Sequence, residues 1–176
     1  MLVNGRTLEH ATFELPDAYE VVAEESGVPP PTDTTLAMAR REEIDTALRQ
    51  AQTERADLES LCELSPEELG PLEGAFDETT RKRARYVVSE TARVHEVVDL
   101  FAADAPQAEA VAALGRAMLA SQRSLAADLE ASTPEIDSLV DLATTKPSIL
   151  GARLQGKGAG GRLAVLQKRA DDAGGR

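Results

Sequence analysis

Ile149-Leu150-Gly151-Ala152-Arg153-Leu154-Gln155-Gly156-Lys157-Gly158-Ala159-Gly160-Gly161 is a short apolar run that breaks into glycines, and a second apolar run follows at 163–167. Pro147 stands just upstream and closes off any preceding helix. Both apolar runs are too short for an ordinary helix, so the spacing predicts strand, glycine loop, strand. Gly156, Gly158 and Gly161 formally satisfy G-x-G-x-x-G. That fingerprint holds a dinucleotide only when a helix follows and turns its positive N-terminal end to the pyrophosphate. Here a strand follows, and there is no Gly-Lys-Ser/Thr ending for a Walker loop. Two readings stay open: a tight hairpin, or a surface bare of side chains that another backbone or a phosphate can approach closely.

Upstream of this hairpin the apolar period changes from two to about 3.6. Ala84, Val87, Val88, Thr91, Val94, Val98 and Phe101 recur at three- and four-residue steps, which predicts a long central helix over 79–103. Pro106 opens the next, with Val111, Leu114, Met118, Leu125 and Leu129 on one stripe, and Gly115 admits a close neighbour. Met118 is read as core packing. Thr133-Pro134-Glu135 starts a short helix that buries Ile136, Leu139, Val140 and Ala143. Ser65-Pro66-Glu67-Glu68 has the cap, proline and acids of a helix start, and Gly70-Pro71 stops it.

Over 34–52, Leu36, Ala39, Ala47, Leu48 and Ala51 share a face, while Arg40, Arg41, Glu42 and Glu43 are expected on a solvated one. Before that helix, Pro29-Pro30-Pro31 enforces an extended loop. Residues 1–28 read as a pair of short strands around Leu2-Val3 and 19–23, with a turn at Leu15-Pro16-Asp17, and Glu24 and Glu25 as loop acids. The whole is an α+β chain, a helix-rich lobe with a small antiparallel sheet. One domain over 1–167 and a mobile glycine-rich tail over 168–176 are expected.

Composition agrees. Of 176 residues 42% are apolar, but only 3% are aromatic and none is tryptophan, so aliphatic helix packing dominates the core. The formal net charge of -12 opposes binding to nucleic acid or an anionic membrane, since both need clustered Lys and Arg. Cys62, His10 and His95 are too few and too scattered for a metal site. Cys62 is expected to be partly buried on a helical stretch. The opening residues lack the charged-then-apolar pattern of a signal peptide and no apolar run reaches membrane length, so a cytoplasmic setting is expected.

Five blocks also resemble a known family. Residues 149–161 are similar to the glycine signature of galactokinases and the wider GHMP kinase superfamily, V-L-G-A-R-M-T-G-A-G-F-G-G. Residues 121–137, Ser-Gln-Arg-Ser-Leu-Ala-Ala-Asp-Leu-Glu-Ala-Ser-Thr-Pro-Glu-Ile-Asp, resemble S-H-x-S-L-x-x-D-Y-E-V-S-x-P-E-L-D. Residues 83–94 resemble R-A-x-H-V-V-x-E-x-x-R-V, and Arg40-Arg41-Glu42-Glu43 resembles R-R-E-E-C. Gly5-Arg6-Thr7-Leu8-Glu9 is similar to C-R-S-L-E.

The blocks are collinear and span nearly the whole chain. The resemblance implies the C-terminal lobe of a sugar kinase that uses ATP and Mg2+ to phosphorylate galactose or a related sugar at its anomeric hydroxyl. It implies that Gly156, Gly158, Gly160 and Gly161 support the nucleotide loop, with Lys157 a candidate phosphate contact. Ala37 stands where the family has a tyrosine against the sugar, and Gln122 where it has a histidine. The nucleotide loop and catalytic aspartate have no counterpart here, so the lobe is expected to be incomplete at both ends, without catalytic or metal-binding residues, and inactive alone. The implied partners are an N-terminal kinase half, or a second copy through exposed apolar surface. The alternative is a non-catalytic, kinase-derived module that senses a sugar or binds a protein.

Overall fold

The computed structural model describes residues 2–3, 5, 7–103, 107–156 and 158–170. A minimal pair comes first: β1 (Leu2–Val3) lies antiparallel to β2 (His10–Ala11). The turn at Pro16 forms as expected, its carbonyl accepting the Tyr19 N–H at 2.9 Å. The strand that follows, β3 (Tyr19–Glu25), does not pair with β1. Its partner is the last strand among the described residues, β5 (Arg162–Lys168), with Tyr19 opposite Lys168 and Glu25 opposite Arg162. Glu24 and Glu25 are therefore strand residues, not loop acids. A local reading cannot see this, because an edge strand finds its partner through chain topology rather than sequence proximity.

Helix α1 (Thr35–Ala51) leads through η1 (Leu61–Glu63), α2 (Pro66–Leu69) and η2 (Gly70–Ala75) into the long α3 (Glu78–Ala102). At the start of α2, Ser65 and Glu68 form the full reciprocal capping box, and Asp77 caps α3 by accepting the Thr80 N–H. Cys62 sits on η1 and is exposed, in contrast to the burial expected for it. Then follow α4 (Gln107–Ala127), α5 (Pro134–Ala143) and β4 (Ile149–Leu154). Pro106, expected to open α4, lies outside the described residues.

β4 and β5 form the predicted hairpin, and the sheet order is β3-β5-β4. Lys168, placed in the expected tail, is the last residue of β5, and the Arg169 N–H donates to the Ala18 carbonyl at 2.8 Å. The rest of that tail, 171–176, lies outside the described residues.

Burial follows the stripes. Ala47 and Ala51 of α1, Ala84 and Val88 of α3, Leu58 of the loop after α1 and the leucines of the short helices, Leu61, Leu69 and Leu72, belong to one cluster. Ala152, Leu154, Leu163 and Val165 make another on one face of the sheet, with Leu125, Ile136 and Val140 from α4 and α5. A third joins Val111 and Met118 of α4 to Ala164 and Leu166. Each fully buried leucine or valine contributes roughly 1.5–3 kcal/mol relative to exposure.

α4 runs along the free edge of β4. A Cβ on Gly115 would stand 2.5 Å from the Leu150 carbonyl oxygen, and one on Gly151 would stand 2.5 Å from that of Gly115. Two backbones therefore touch where neither residue carries a side chain. Further along α4, the buried Gln122 accepts the Leu154 N–H at 2.8 Å, a backbone donor that no neighbouring strand takes up. Its amide nitrogen donates to Ser132 Oγ at 2.9 Å and Asp137 Oδ1 at 2.7 Å, which ties the start of α5 to the same edge.

Candidate functional site

Between the first turn of α1 and the end of β4 lies a cleft of about 250 Å³ lined by Ala37, Arg40, Tyr86, Arg153, Gly156 and Gly158 among others. The sequence had singled out Ala37 and the glycines separately. The fold brings them together. A second depression, of about 520 Å³, is lined by Pro30, Pro31, Arg162 and all four glycines.

The glycine loop needs its glycines for two different reasons. Gly156, Gly158, Gly160 and Gly161 all have positive φ, at 85°, 94°, 157° and 105°. Gly158 and Gly160 are also buried against the chain itself: a Cβ on Gly158 would meet the Ala131 carbonyl oxygen at 2.6 Å, and one on Gly160 would collide with the Pro29 carbonyl. The Ala159 N–H donates to the same Ala131 oxygen at 2.8 Å, and the Gly161 N–H donates to Val28 at 2.9 Å. Gly156 is exposed, and a Cβ there would meet nothing within 4 Å. Gly158 and Gly160 thus hold the loop's shape, and Gly156 leaves the cleft mouth bare. Lys157 lies outside the described residues.

Ala131 belongs to the turn after α4, and a charged network fixes that turn. Arg83 is 1% exposed on α3; its Nε donates to Glu43 Oε2 at 2.6 Å and its Nη2 to Glu130 Oε2 at 2.7 Å. Its Nη1 donates to the Asp128 carbonyl. Arg40 donates to both oxygens of Glu43 at 2.9 and 3.0 Å and to the Glu130 carbonyl at 3.1 Å. Lys82 reaches Glu130 at 3.0 Å.

Burial works to lower the Arg83 pKa, but the hydrogen bonds it donates to Glu130 and Glu43 outweigh burial and raise it. Hydrogen bonds from Arg83 and then Lys82 hold the Glu130 carboxyl down at about 2. Glu130 itself has φ 52°, an uncommon conformation for a residue with a Cβ. The network holds Glu130 in it, and the next carbonyl becomes the shelf for the glycine loop.

Arg40 and Glu43 were expected on a solvated face and instead turn inward, with side chains 20% and 28% exposed. A lone helix cannot reveal this, since the attracting charge sits on α3. One signal was available: Arg83 falls on the stripe of Thr80, Ala84, Val87 and Val88, where an arginine needs buried acceptors. Arg40 lines the cleft, and its Nε is buried without a partner among the described residues. Tyr86, on the opposite wall, has its pKa raised mainly by burial and then by Glu90.

Among the described residues no cluster of three or more His, Cys, Asp or Glu side chains can hold a metal ion. No described helix is long and apolar enough to cross a membrane.

No protein-family model matches the chain. Among curated proteins, the chain is 33% identical over 169 residues to the galactokinase of Roseiflexus sp. strain RS-1, covering 96% of this chain and 42% of that protein. It is 33% identical over 167 residues to the galactokinase of Homo sapiens, covering 94% and 40%. Among solved structures it is similar to Lactococcus lactis galactokinase complexed with galactose, with a TM-score of 0.83, 32% identity and 94% of this chain covered. That similarity covers 42% of the Lactococcus chain, so the present chain spans about two fifths of the length of the proteins it matches.

Proposed function

The chain belongs to the galactokinase family and corresponds to its C-terminal portion, and on that premise we propose that it forms one wall of an ATP-dependent sugar kinase site. In the reaction proposed, the terminal phosphoryl group of ATP passes to the anomeric hydroxyl of galactose or a related sugar, ADP leaves, and the hydroxyl proton is released. The observation that carries this reading is the meeting of Ala37, Arg40, Gly156 and Gly158 in one cleft.

The bare surface at Gly156 suits the close approach of a phosphate-bearing group, since positive φ and a missing Cβ leave the backbone accessible. Arg40 lines the same space, its guanidinium paired with Glu43 and its Nε buried without a partner among the described residues. ATP, when bound, supplies the phosphoryl group, and this chain contributes shape. No step is routed through Mg2+ on this chain, since among the described residues no group of three or more His, Cys, Asp or Glu could hold a metal ion. Phosphoryl transfer rests on a cradle for the phosphates and on stabilisation of the transferring group. A nucleotide loop and an acidic residue near the sugar hydroxyl belong, on this reading, to an N-terminal kinase half in the same cytoplasmic compartment.

Ala37 supplies neither the aromatic face nor the hydroxyl that the family's tyrosine brings to a sugar, which relaxes specificity for galactose. That residue favours the alternative, a non-catalytic module that senses a sugar or binds a partner protein. The two separate on one titration of the pure chain with galactose and with ATP, followed by amide NMR and by ADP release. The kinase-wall reading expects ATP to shift the amides of 155–161 and no ADP to appear. ADP release at ordinary kinase rates would overturn the inactivity of the chain alone. If neither ligand shifts the loop, the kinase-wall reading fails and protein binding remains.

A further inference from the structure

A groove of about 360 Å³ runs between α3 and α4, apart from the glycine loop. Val94, Val98, Phe101, Leu114 and Met118 wall it, and its volume falls at the small end of the range for small-molecule sites. The Phe13 and Phe101 rings close on each other with centroids 6.2 Å apart.

One end is polar in an unusual way. Ser121 is 3% exposed, lines the groove, and its hydroxyl has no hydrogen-bond partner among the described residues. The Nε of Arg93 is likewise buried without one. Unpaired buried polar atoms are costly, so two of them on residues that line one groove leave donor capacity there for an acceptor. The remaining charge there has a definite sign. Arg93 Nη2 donates to Glu90 at 2.7 Å and to Ser89 at 3.0 Å, and Arg153 stands 3.7 Å from the other Glu90 oxygen. Two guanidinium groups face one carboxylate, which leaves the polar end net positive.

We propose that this groove is a second ligand site, and that it takes a small carboxylate with an apolar body. The carboxylate accepts from Ser121 Oγ and Arg93 Nε, and the body lies along Val94, Val98 and Leu114. An amine is repelled by the two arginines. An alcohol offers an acceptor but no charge. Ser121 opens the block at 121–137, yet its hydroxyl serves neither the cleft nor the β4 edge that Gln122 secures; the groove gives it a role.

The probes are octanoate, octanol and octylammonium, each kept below micelle formation and titrated into the intact chain while methyl and amide NMR signals are followed. Octanoate should bind saturably, with shifts centred on Val94, Val98, Leu114 and Met118. Octanol should bind about tenfold more weakly or worse, as expected for losing a charge-assisted hydrogen bond, and octylammonium should not bind. Ser121→Ala should weaken octanoate several-fold. Arg93→Lys, which keeps the charge and loses the Nε donor, should weaken it about tenfold.

Circular dichroism establishes that each variant is folded; if Arg93→Lys does not fold, Ser121→Ala and the octanol comparison decide alone. Equal affinity for octanoate and octanol would overturn the proposal. So would an affinity unchanged in the folded variants, shifts centred elsewhere, or no saturable binding.

Discussion

At the residue scale the four loop glycines look interchangeable in sequence and are not so in the fold. Gly158 combines φ 94° with a Cβ position 2.6 Å from a backbone oxygen that cannot give way cheaply. Gly158→Ala should therefore destabilise by about 2–4 kcal/mol, the sum of left-handed strain and a displaced shelf at Ala131. Gly156→Ala meets only the conformational term and should cost about 1 kcal/mol, since nothing lies within 4 Å of the new methyl. Urea unfolding of the two variants beside the parent measures both. Equal losses would show that packing against Ala131 contributes nothing. The spacing of glycines identified this loop, but which glycine faces bulk and which faces backbone depends on Ala131 and Pro29, each over 25 residues away in sequence. The same holds for Arg83, whose partners Glu43 and Glu130 lie 40 and 47 residues off.

At the element scale, the contact of α4 with β4 organises the lobe. Gly115 and Gly151 let the two backbones meet, and Gln122 then satisfies the Leu154 N–H on an otherwise open strand edge. Gly115→Ala would gain helix propensity of about 1 kcal/mol yet place its methyl 2.5 Å from the Leu150 carbonyl oxygen. The clash should win, for a net loss of about 1–3 kcal/mol. The Leu154 amide, held by Gln122, should lose protection from hydrogen exchange more than amides in α1. Unchanged protection at Leu154 would mean that α4 and β4 part without cost. Helix existence and this glycine's close approach were legible from period and position. The edge-covering role of Gln122 was not, because a glutamine on a helix stripe gives no sign of which backbone donor it will meet.

At the scale of the molecule, the Arg83 network links α1, α3 and the turn beneath the glycine loop, so acid should loosen the candidate site along with the fold. Glu130 is held at about 2 against an ordinary value of 4.5. Its contribution is fully present above about 4.5 and is lost as pH falls from there toward about 2. With the side chain 42% exposed, solvent screening limits that contribution to about 1 kcal/mol. Glu130→Gln should be less stable than the parent at neutral pH by about that amount, and the two stability curves should converge on acidification. Parallel curves from neutral pH down to pH 3 would remove Glu130 from the network. The sequence by itself determined the helix stripes, the capped starts, the strand-glycine-strand hairpin and the family, because these rest on local period, local backbone freedom and ordered blocks of residues. The tertiary structure alone decided that β3 pairs with β5, that Arg40 and Glu43 turn inward to Arg83, and that Ala37 and Gly156 share a cleft. Each of those depends on charges, donors and surfaces that are far apart along the chain and meet only once the core has closed.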